Sequence, residues 1–154
     1  MRTAQIEKIL SPNDVGATGA HQAGILIPKK PEVLAFFPKL DRHIANPDCW
    51  INFVDEAGNV WRFRYIWYNG KLHGTSTRNE YRLTCMTAWF RSQQAKAGDI
   101  VVIKRDENGG YKIKLRAKRK DDSATRLHKP GIIVHPDGRI VIKLGTGWKI
   151  IQMR

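Results

Sequence analysis

The chain has 154 residues, 42% of them hydrophobic, which is enough for one ordinary core and cramped for two. Its 27 Lys and Arg against 14 Asp and Glu give a net charge of +13, and residues 60–154 alone hold 21 basic and 7 acidic side chains while 1–59 hold 6 and 7. That asymmetry suits a polyanion, and it favours nucleic acid over an anionic bilayer because no basic amphipathic helix is present to lie on a membrane.

No run approaches the roughly 18 consecutive apolar residues of a membrane-spanning helix. Residues 1–10 alternate charged with apolar side chains instead of building a signal-peptide core, so the expected setting is the cytoplasm. Cys49 and Cys85 form no CxxC pair and the five histidines are scattered, so zinc-ligand spacing is absent. Two reduced thiols, no metal and no cofactor are expected.

Along the chain, β-branched and aromatic segments at period two predict strands at 24–27 (GILI), 49–54 (CWINFV) and 60–67 (VWRFRYIW), then at 100–104, 111–115, 132–135 and 139–144. Turn residues at 56–59 (EAGN), 107–110 (ENGG) and 136–138 (PDG) predict hairpins, since Gly and Asn accept the positive φ such turns require. Two short helices are expected, one over 31–37 opened by Pro31 and ended near Pro38, the other over about 84–97 and stopped by Gly98. Many short strands with two short helices argue for a mainly β fold of the small barrel or pseudobarrel type. Residues 118–130 read as a polar, linker-like segment leading to a C-terminal hairpin within 131–154, after a main unit at 1–117.

Two loops carry the chemistry. The first, 11–22 (SPNDVGATGAHQ), sets glycines among Asn13, Asp14, Thr18, His21 and Gln22, side chains able to read base edges. The second, 69–82 (NGKLHGTSTRNEYR), joins Asn69, Lys71, Ser76, Thr77, Arg78, Asn79, Glu80 and Arg82. Near phosphates a carboxylate is repelled, so Glu80 either pairs with Arg78 and Arg82 or accepts a hydrogen bond from a cytosine amino group. Arg78 and Arg82 suit bidentate reading of guanine, Asn79 suits either adenine or a turn cap, and His21 is either structural or a base-edge donor.

The run LSPNDVGATGAHQAGILIP at 10–28 and the segment TRNEYR at 77–82 resemble the N-terminal effector-binding domain of EcoRII-type restriction endonucleases. The resemblance covers roughly residues 6–117. GDIVVIKRD at 98–106 is similar to the closing helix-strand unit of plant transcription-factor pseudobarrels that share this fold. What the resemblance implies is an open DNA-binding pseudobarrel of about seven strands that grips double-stranded DNA with two arms in the major groove, here 11–26 and 64–82. Each arm reads half of a short site, CCWGG in the family's usual case. It further implies a recognition domain of a type II (IIE-like) restriction enzyme from a prokaryote, with a separate nuclease domain in the same polypeptide. On matching positions, Lys8 and His21 serve the first arm, and Arg64, Arg78, Asn79, Glu80 and Arg82 the second. Ser76, Tyr81 and Leu26 depart from the family's pattern, which bears on phosphate contacts more than on base reading.

An acidic residue two positions before a lysine, and the HxK triplet, both occur nowhere in the chain, so the common Mg²⁺ and phospholipase-D-type nuclease sites lack their residues and no catalytic residue is assigned. Two rival readings remain. One is a compact nuclease built on His21, His73 and Glu80. The other is an RNA-binding barrel stacking bases on aromatics, against which Trp50, Phe53, Trp61, Phe63, Tyr65, Trp67 and Tyr68 sit mostly at core-like alternation.

Overall fold

The computed structural model describes residues 2–16, 24–118 and 130–153. The chain runs through β1 (Arg2–Ile9), β2 (Ile25–Ile27), α1 (Pro31–Leu34), β3 (Asp48–Val54) and β4 (Val60–Tyr68). It continues through α2 (Gly70–His73), β5 (Glu80–Thr84), α3 (Thr87–Ser92), β6 (Ile100–Arg105) and β7 (Tyr111–Arg116). It closes with β8 (Gly131–Val134), β9 (Ile140–Lys143) and β10 (Trp148–Met153). The strands hydrogen-bond in the order β2-β5-β4-β3-β7-β6-β1-β10-β9-β8, and β2 and β8 remain the two ends, so the sheet is open. The neighbours are antiparallel except β3 and β7, which run parallel with Phe53 opposite Tyr111.

The three expected hairpin turns form, each by a repeated device. Asp55 N–H bonds the Asn59 carbonyl at 2.9 Å while its carboxylate accepts the Asn59 N–H at 2.8 Å, and Gly58 takes φ 85°. Asp106 does the same around Gly110, and His135 bonds Arg139 across the β8–β9 turn. In the first two turns an Asp at the strand end fixes the turn with its side chain, and in the third Asp137, within the turn, accepts the Arg139 N–H at 3.0 Å.

The core gathers from most of the curled sheet: Ile6 of β1, Ile25 and Ile27 of β2, Phe53, Phe63, Leu83, Ile103, Ile113 and Ile150 are all nearly inaccessible. Helix α1 and the turn after it deliver Phe36 and Phe37, which meet Tyr111 edge-on at 5.7 Å and Tyr65 face-on at 4.7 Å. Helix α3 delivers Trp89 onto Phe63 at 6.2 Å. Each such ring removes large apolar area from water, contributing on the order of 2–3 kcal/mol.

The structure adds three strands to the seven segments expected from pattern. Strand β1 carries Glu7 at its buried centre, where Arg116 of β7 donates to it at 2.9 Å and Lys149 of β10 lies 4.0 Å away. That pairing permits a charged residue at 5% exposure inside a strand. Strand β5 occupies 80–84, mostly in the expected loop and reaching the first residue of the expected helix. The left-handed backbone at Cys85, φ 65°, separates β5 from α3, so the helix starts at Thr87 instead of near 84. Helix α1 ends at Leu34, short of the expected 37, and α2 is a short helix that the sequence pattern did not suggest.

The expected C-terminal hairpin is present as β8 and β9, and β10 returns from it to pair with β1, Ile150 opposite Ile6. Most of the linker-like segment, 119–129, lies outside the described residues. Because Ile150 is 1% exposed within the shared core, Ile150→Ala is expected to cost about 2–4 kcal/mol. In a urea melt the whole chain should shift as one transition; a separate early step confined to the C-terminal strands would contradict the shared core.

Burial pushes the Tyr65 hydroxyl well above the ordinary tyrosine range, with smaller contributions from Tyr81, Cys49 and Tyr111. A group held neutral in the fold but free to ionise when unfolded contributes stability below its unfolded value of about 10 and loses it as the pH rises past that value. Tyr65→Phe is therefore expected to flatten the alkaline limb of a stability against pH curve, measured by denaturant midpoints from neutral pH upward.

Candidate nucleic-acid interface

Strand alternation gives β2, β5, β4 and β3 two different faces. Phe63 and Tyr65 of β4 and Leu83 of β5 point into the core, so Arg62 and Arg64 of β4 and Arg82 of β5 point the other way. Register sets the outer residues in rows: Leu26, Arg82, Ile66 and Asp48 across one line, Thr84, Arg64 and Trp50 across the next. Trp50 is 47% and Leu26 45% exposed, and the Arg62 guanidinium lies 5.2 Å from the Trp50 ring. Arg64 Nε donates to Asp48 at 2.6 Å, which holds that guanidinium flat on the sheet. Three arginines flanked by the exposed Leu26 and Trp50, with Ile66 buried in the row, make a cationic, amphipathic platform.

The first loop leaves β1, returns to the sheet at Gly24 against β5, and is anchored by a buried ion pair. Lys8 Nζ bonds Asp14 Oδ2, the two residues being 8% and 5% exposed. The same carboxylate oxygen accepts the Ser11 N–H at 2.9 Å, and Ser11 Oγ accepts the Asp14 N–H at 3.2 Å. On the far side of the loop, the Gly24 N–H bonds the Asp14 carbonyl at 3.1 Å. A Cβ at Gly24 would lie 2.5 Å from the Leu83 carbonyl oxygen, so only glycine lets the returning chain lie this close to β5. Thr18, His21 and Gln22 lie outside the described residues.

The second loop, between β4 and β5, is anchored by Asn69. This residue is 0% exposed: its Oδ1 accepts the Asn46 N–H at 2.8 Å, its own N–H donates to Asn46 Oδ1 at 3.2 Å, and its Nδ2 donates to the Ile44 carbonyl at 2.8 Å. Helix α2 follows and stops at Gly74, whose φ of 72° ends it in the left-handed cap that glycine accommodates. The Lys71 N–H then bonds the Arg78 carbonyl at 2.9 Å, closing the loop on itself with Lys71, Ser76, Thr77, Arg78 and Asn79 exposed around it.

At the end of this loop the charged side chains are mutually fixed. Arg78 packs over the Tyr68 ring at 3.6 Å and bonds Glu80 Oε1 with both Nε, at 2.9 Å, and Nη2. Arg82 Nη1 reaches the other Glu80 oxygen at 3.5 Å. The side edge of the Arg78 guanidinium is thereby occupied, and its Nη1–Nη2 end is the edge left for an outside acceptor. Asn79 Oδ1 accepts the Trp67 indole N–H at 3.0 Å, and Ser76 Oγ accepts the Arg78 N–H at 3.2 Å.

The structure thus brings Arg64, Glu80 and Arg82 to one face of the sheet, with Arg78 paired to Glu80 beside them and Lys71, Ser76, Thr77 and Asn79 exposed on the loop that leads into β5. Of the two readings of Glu80, pairing with both arginines is the one observed in the unliganded chain. Asn13 is exposed on the first loop. Lys8, Asp14 and Asn69 are corrected from contact residues to interior ones, because their polar groups are buried and satisfied within the loops they anchor. Trp50 is corrected from the core to the surface. Arg62 and Trp50 complete the platform, and the alternation in CWINFV and VWRFRYIW was the signal for both.

Residues 2–132 match the family described as restriction endonuclease EcoRII, N-terminal. The chain belongs to the EcoRII N-terminal domain family. It is also similar to the B3 domain-containing transcription factor NGA2 of Arabidopsis thaliana, 30% identical over 131 residues that cover 83% of this chain and 40% of that protein. The AP2/ERF and B3 domain-containing transcription factor RAV1, from the same plant, is 27% identical over 138 residues, covering 87% and 37%. The chain therefore spans well under half the length of these relatives.

Among solved structures, the Arabidopsis FUS3–DNA complex aligns with a TM-score of 0.58 at 22% identity, covering 73% of this chain and 96% of that one. The Arabidopsis thaliana LEC2–DNA complex aligns at 0.53 and 21%, covering 75% and 96%. These likenesses establish the fold, a mainly β open pseudobarrel of the kind expected. The loop that returns at Gly24 and the loop that enters at Glu80 lie at opposite ends of β5, with Arg82 between them. Strands β9 and β10 fall after the matched residues and lengthen the sheet beyond β1.

The anchors separate from the contacts by stability. Lys8→Ala leaves the Asp14 carboxylate buried and unpaired and is expected to cost about 3–5 kcal/mol, whereas exposed Lys71→Ala stays within about 0.5 kcal/mol. Equilibrium denaturation of the two variants checks this, and equal losses would contradict the anchoring role.

Proposed function

We propose that this chain recognises a short sequence in double-stranded DNA, straddling the duplex with its two loops and pressing the arginine face of β2-β5-β4-β3 against the backbone between them. The observation that carries this reading is that the two loops lie at opposite ends of β5, the first returning at Gly24 against Leu83 and Thr84 and the second entering at Glu80, while the outer face of β4 and β5 presents Arg62, Arg64 and Arg82 in a chain whose excess charge lies after residue 59. Cations so placed release counterions from phosphates and give affinity without sequence preference. The loops then supply base-edge readers: Arg78 and Arg82 for guanine, Asn79 through its amide nitrogen, and His21, Thr18 and Gln22 from the first loop. Lys71, Ser76 and Thr77 suit phosphate oxygens. The family membership and the DNA complexes of the two structural neighbours support the reading.

The family name supports a finer version, in which the chain is the recognition part of a prokaryotic, cytoplasmic restriction enzyme. It then reads a CCWGG-type site and passes the signal to a nuclease domain of the same polypeptide, contributing no catalytic residue itself. The plant relatives favour a second version, a DNA-binding module of a transcription regulator. Selection of bound duplexes from a random pool tests both: enrichment of CCWGG supports the first, another defined motif supports the second, and no enrichment contradicts sequence-specific recognition altogether.

Glu80 in this reading orients Arg78 by occupying its side edge. Glu80→Gln is expected to cost about 1–3 kcal/mol on the selected site and much less on random DNA, because a loosened guanidinium loses base discrimination while keeping its charge. Fluorescence anisotropy with the two duplexes, alongside a melting curve, measures this. Tighter binding to both would show that Glu80 only repels phosphate.

A further inference from the structure

On the opposite side of β4 and β5 from the arginine face, a cleft of about 820 Å³ opens between these strands, α1 and the segment 38–43. Its wall is a column of nearly parallel rings: Phe37 on Tyr65 at 4.7 Å and 15°, Tyr65 beside Tyr81 at 6.0 Å and 26°, Tyr81 on Trp67 at 5.1 Å and 8°. Phe37 and Tyr65 are buried while Tyr81 and Trp67 are only partly covered, so the column ends in accessible ring surface. Tyr65 is 1% exposed and lines the cleft beside these rings.

The rim is cationic. Lys39 and Arg42 line it, and neither side chain has an ion-pair partner among the described residues. Asp41 and His43 line it too, the Asp41 carboxylate accepting the His43 backbone N–H at 2.9 Å within its own turn, so two cations face one carboxylate there. The rim is also stiff: the Arg42 carbonyl lies 2.9 Å from His73 Nε2, and the Ile44 carbonyl is held by Asn69. Stacked rings select a flat aromatic body, two free cations at the mouth select an anion, and together they disfavour a quaternary ammonium, which cationic neighbours would repel.

We propose that this cleft is a binding site for a nucleotide, its base laid on Tyr81 and Trp67, its edge bonded by the Tyr65 hydroxyl and its phosphate held by Lys39 and Arg42. The same chemistry is offered by a free mononucleotide and by a base everted from bound DNA. The site is distinct from the arginine face, and nucleotide binding to the free chain does not depend on the duplex-recognition reading. It borders the second loop directly, since the Trp67 indole that walls the cleft also donates to Asn79.

The test is an NMR titration of the whole chain, without DNA, with adenosine 5′-monophosphate, adenosine and inorganic phosphate in turn. The monophosphate should shift the Trp67 indole N–H saturably and bind at least several-fold tighter than either component. Lys39→Ala with Arg42→Ala, both at the exposed rim, should erase its advantage over adenosine. Tyr65→Phe keeps the stacked ring and should weaken monophosphate and adenosine alike, by about three- to tenfold. Repeating the titration on duplex-saturated protein identifies the source: retained binding means a free nucleotide, blocked binding an everted base. Shifts confined to Arg62, Arg64 and Arg82, affinity for inorganic phosphate equal to that for the monophosphate, or no saturation at millimolar concentration would overturn the proposal. None of those outcomes bears on duplex recognition.

Discussion

Everything functional in this chain depends on the period-two alternation of β4 and its neighbour β5. One set of side chains, Phe63, Tyr65, Trp67, Tyr81 and Leu83, builds the core and the aromatic cleft; the other, Arg62, Arg64, Glu80 and Arg82, builds the charged platform. A one-residue slip of register would exchange the two and bury three arginines, so the hydrophobic core itself fixes where the positive charge points. The sheet is thin enough that both surfaces belong to the same four strands.

The loops need a different kind of support, because loops with many glycines and polar groups have no core of their own. The chain supplies it with buried polar anchors: Lys8 with Asp14 at the root of the first loop and Asn69 with Asn46 at the root of the second. Such groups are costly to bury and tolerable only when fully paired, which makes them good clamps and poor contact residues. The side chains free to meet a partner lie farther out, at Lys71, Thr77 and the end of the Arg78 guanidinium.

Much of this was legible in the sequence, and the failures have physical reasons. The seven patterned segments and three hairpin turns were readable because alternation and Asp/Gly turn chemistry are local. Strand β1 was not, because Glu7 and Lys8 look like surface residues until their partners Arg116, Lys149 and Asp14 are brought to them by the fold. The same non-locality disguised Lys8, Asp14 and Asn69 as DNA contacts. Strand β5 is a different case: EYRLT alternates cleanly, but its charges suit a base-reading loop equally well, so local pattern and local chemistry point to different structures. Trp50 repeats that lesson from the other side, since its aromatic character suggested core while its position in CWINFV placed it outward.

The central claim is that the arginine face of β2-β5-β4-β3, with a loop at either end of β5, is the surface that meets duplex DNA. Backbone chemical-shift mapping of the isotope-labelled chain against a bound duplex tests it most directly. The account predicts large changes along 62–64, 71–80 and 82 and near-silence in β8 and β9, at the far end of the sheet. Changes concentrated in β8 to β10, with the arginine face unmoved, would contradict it.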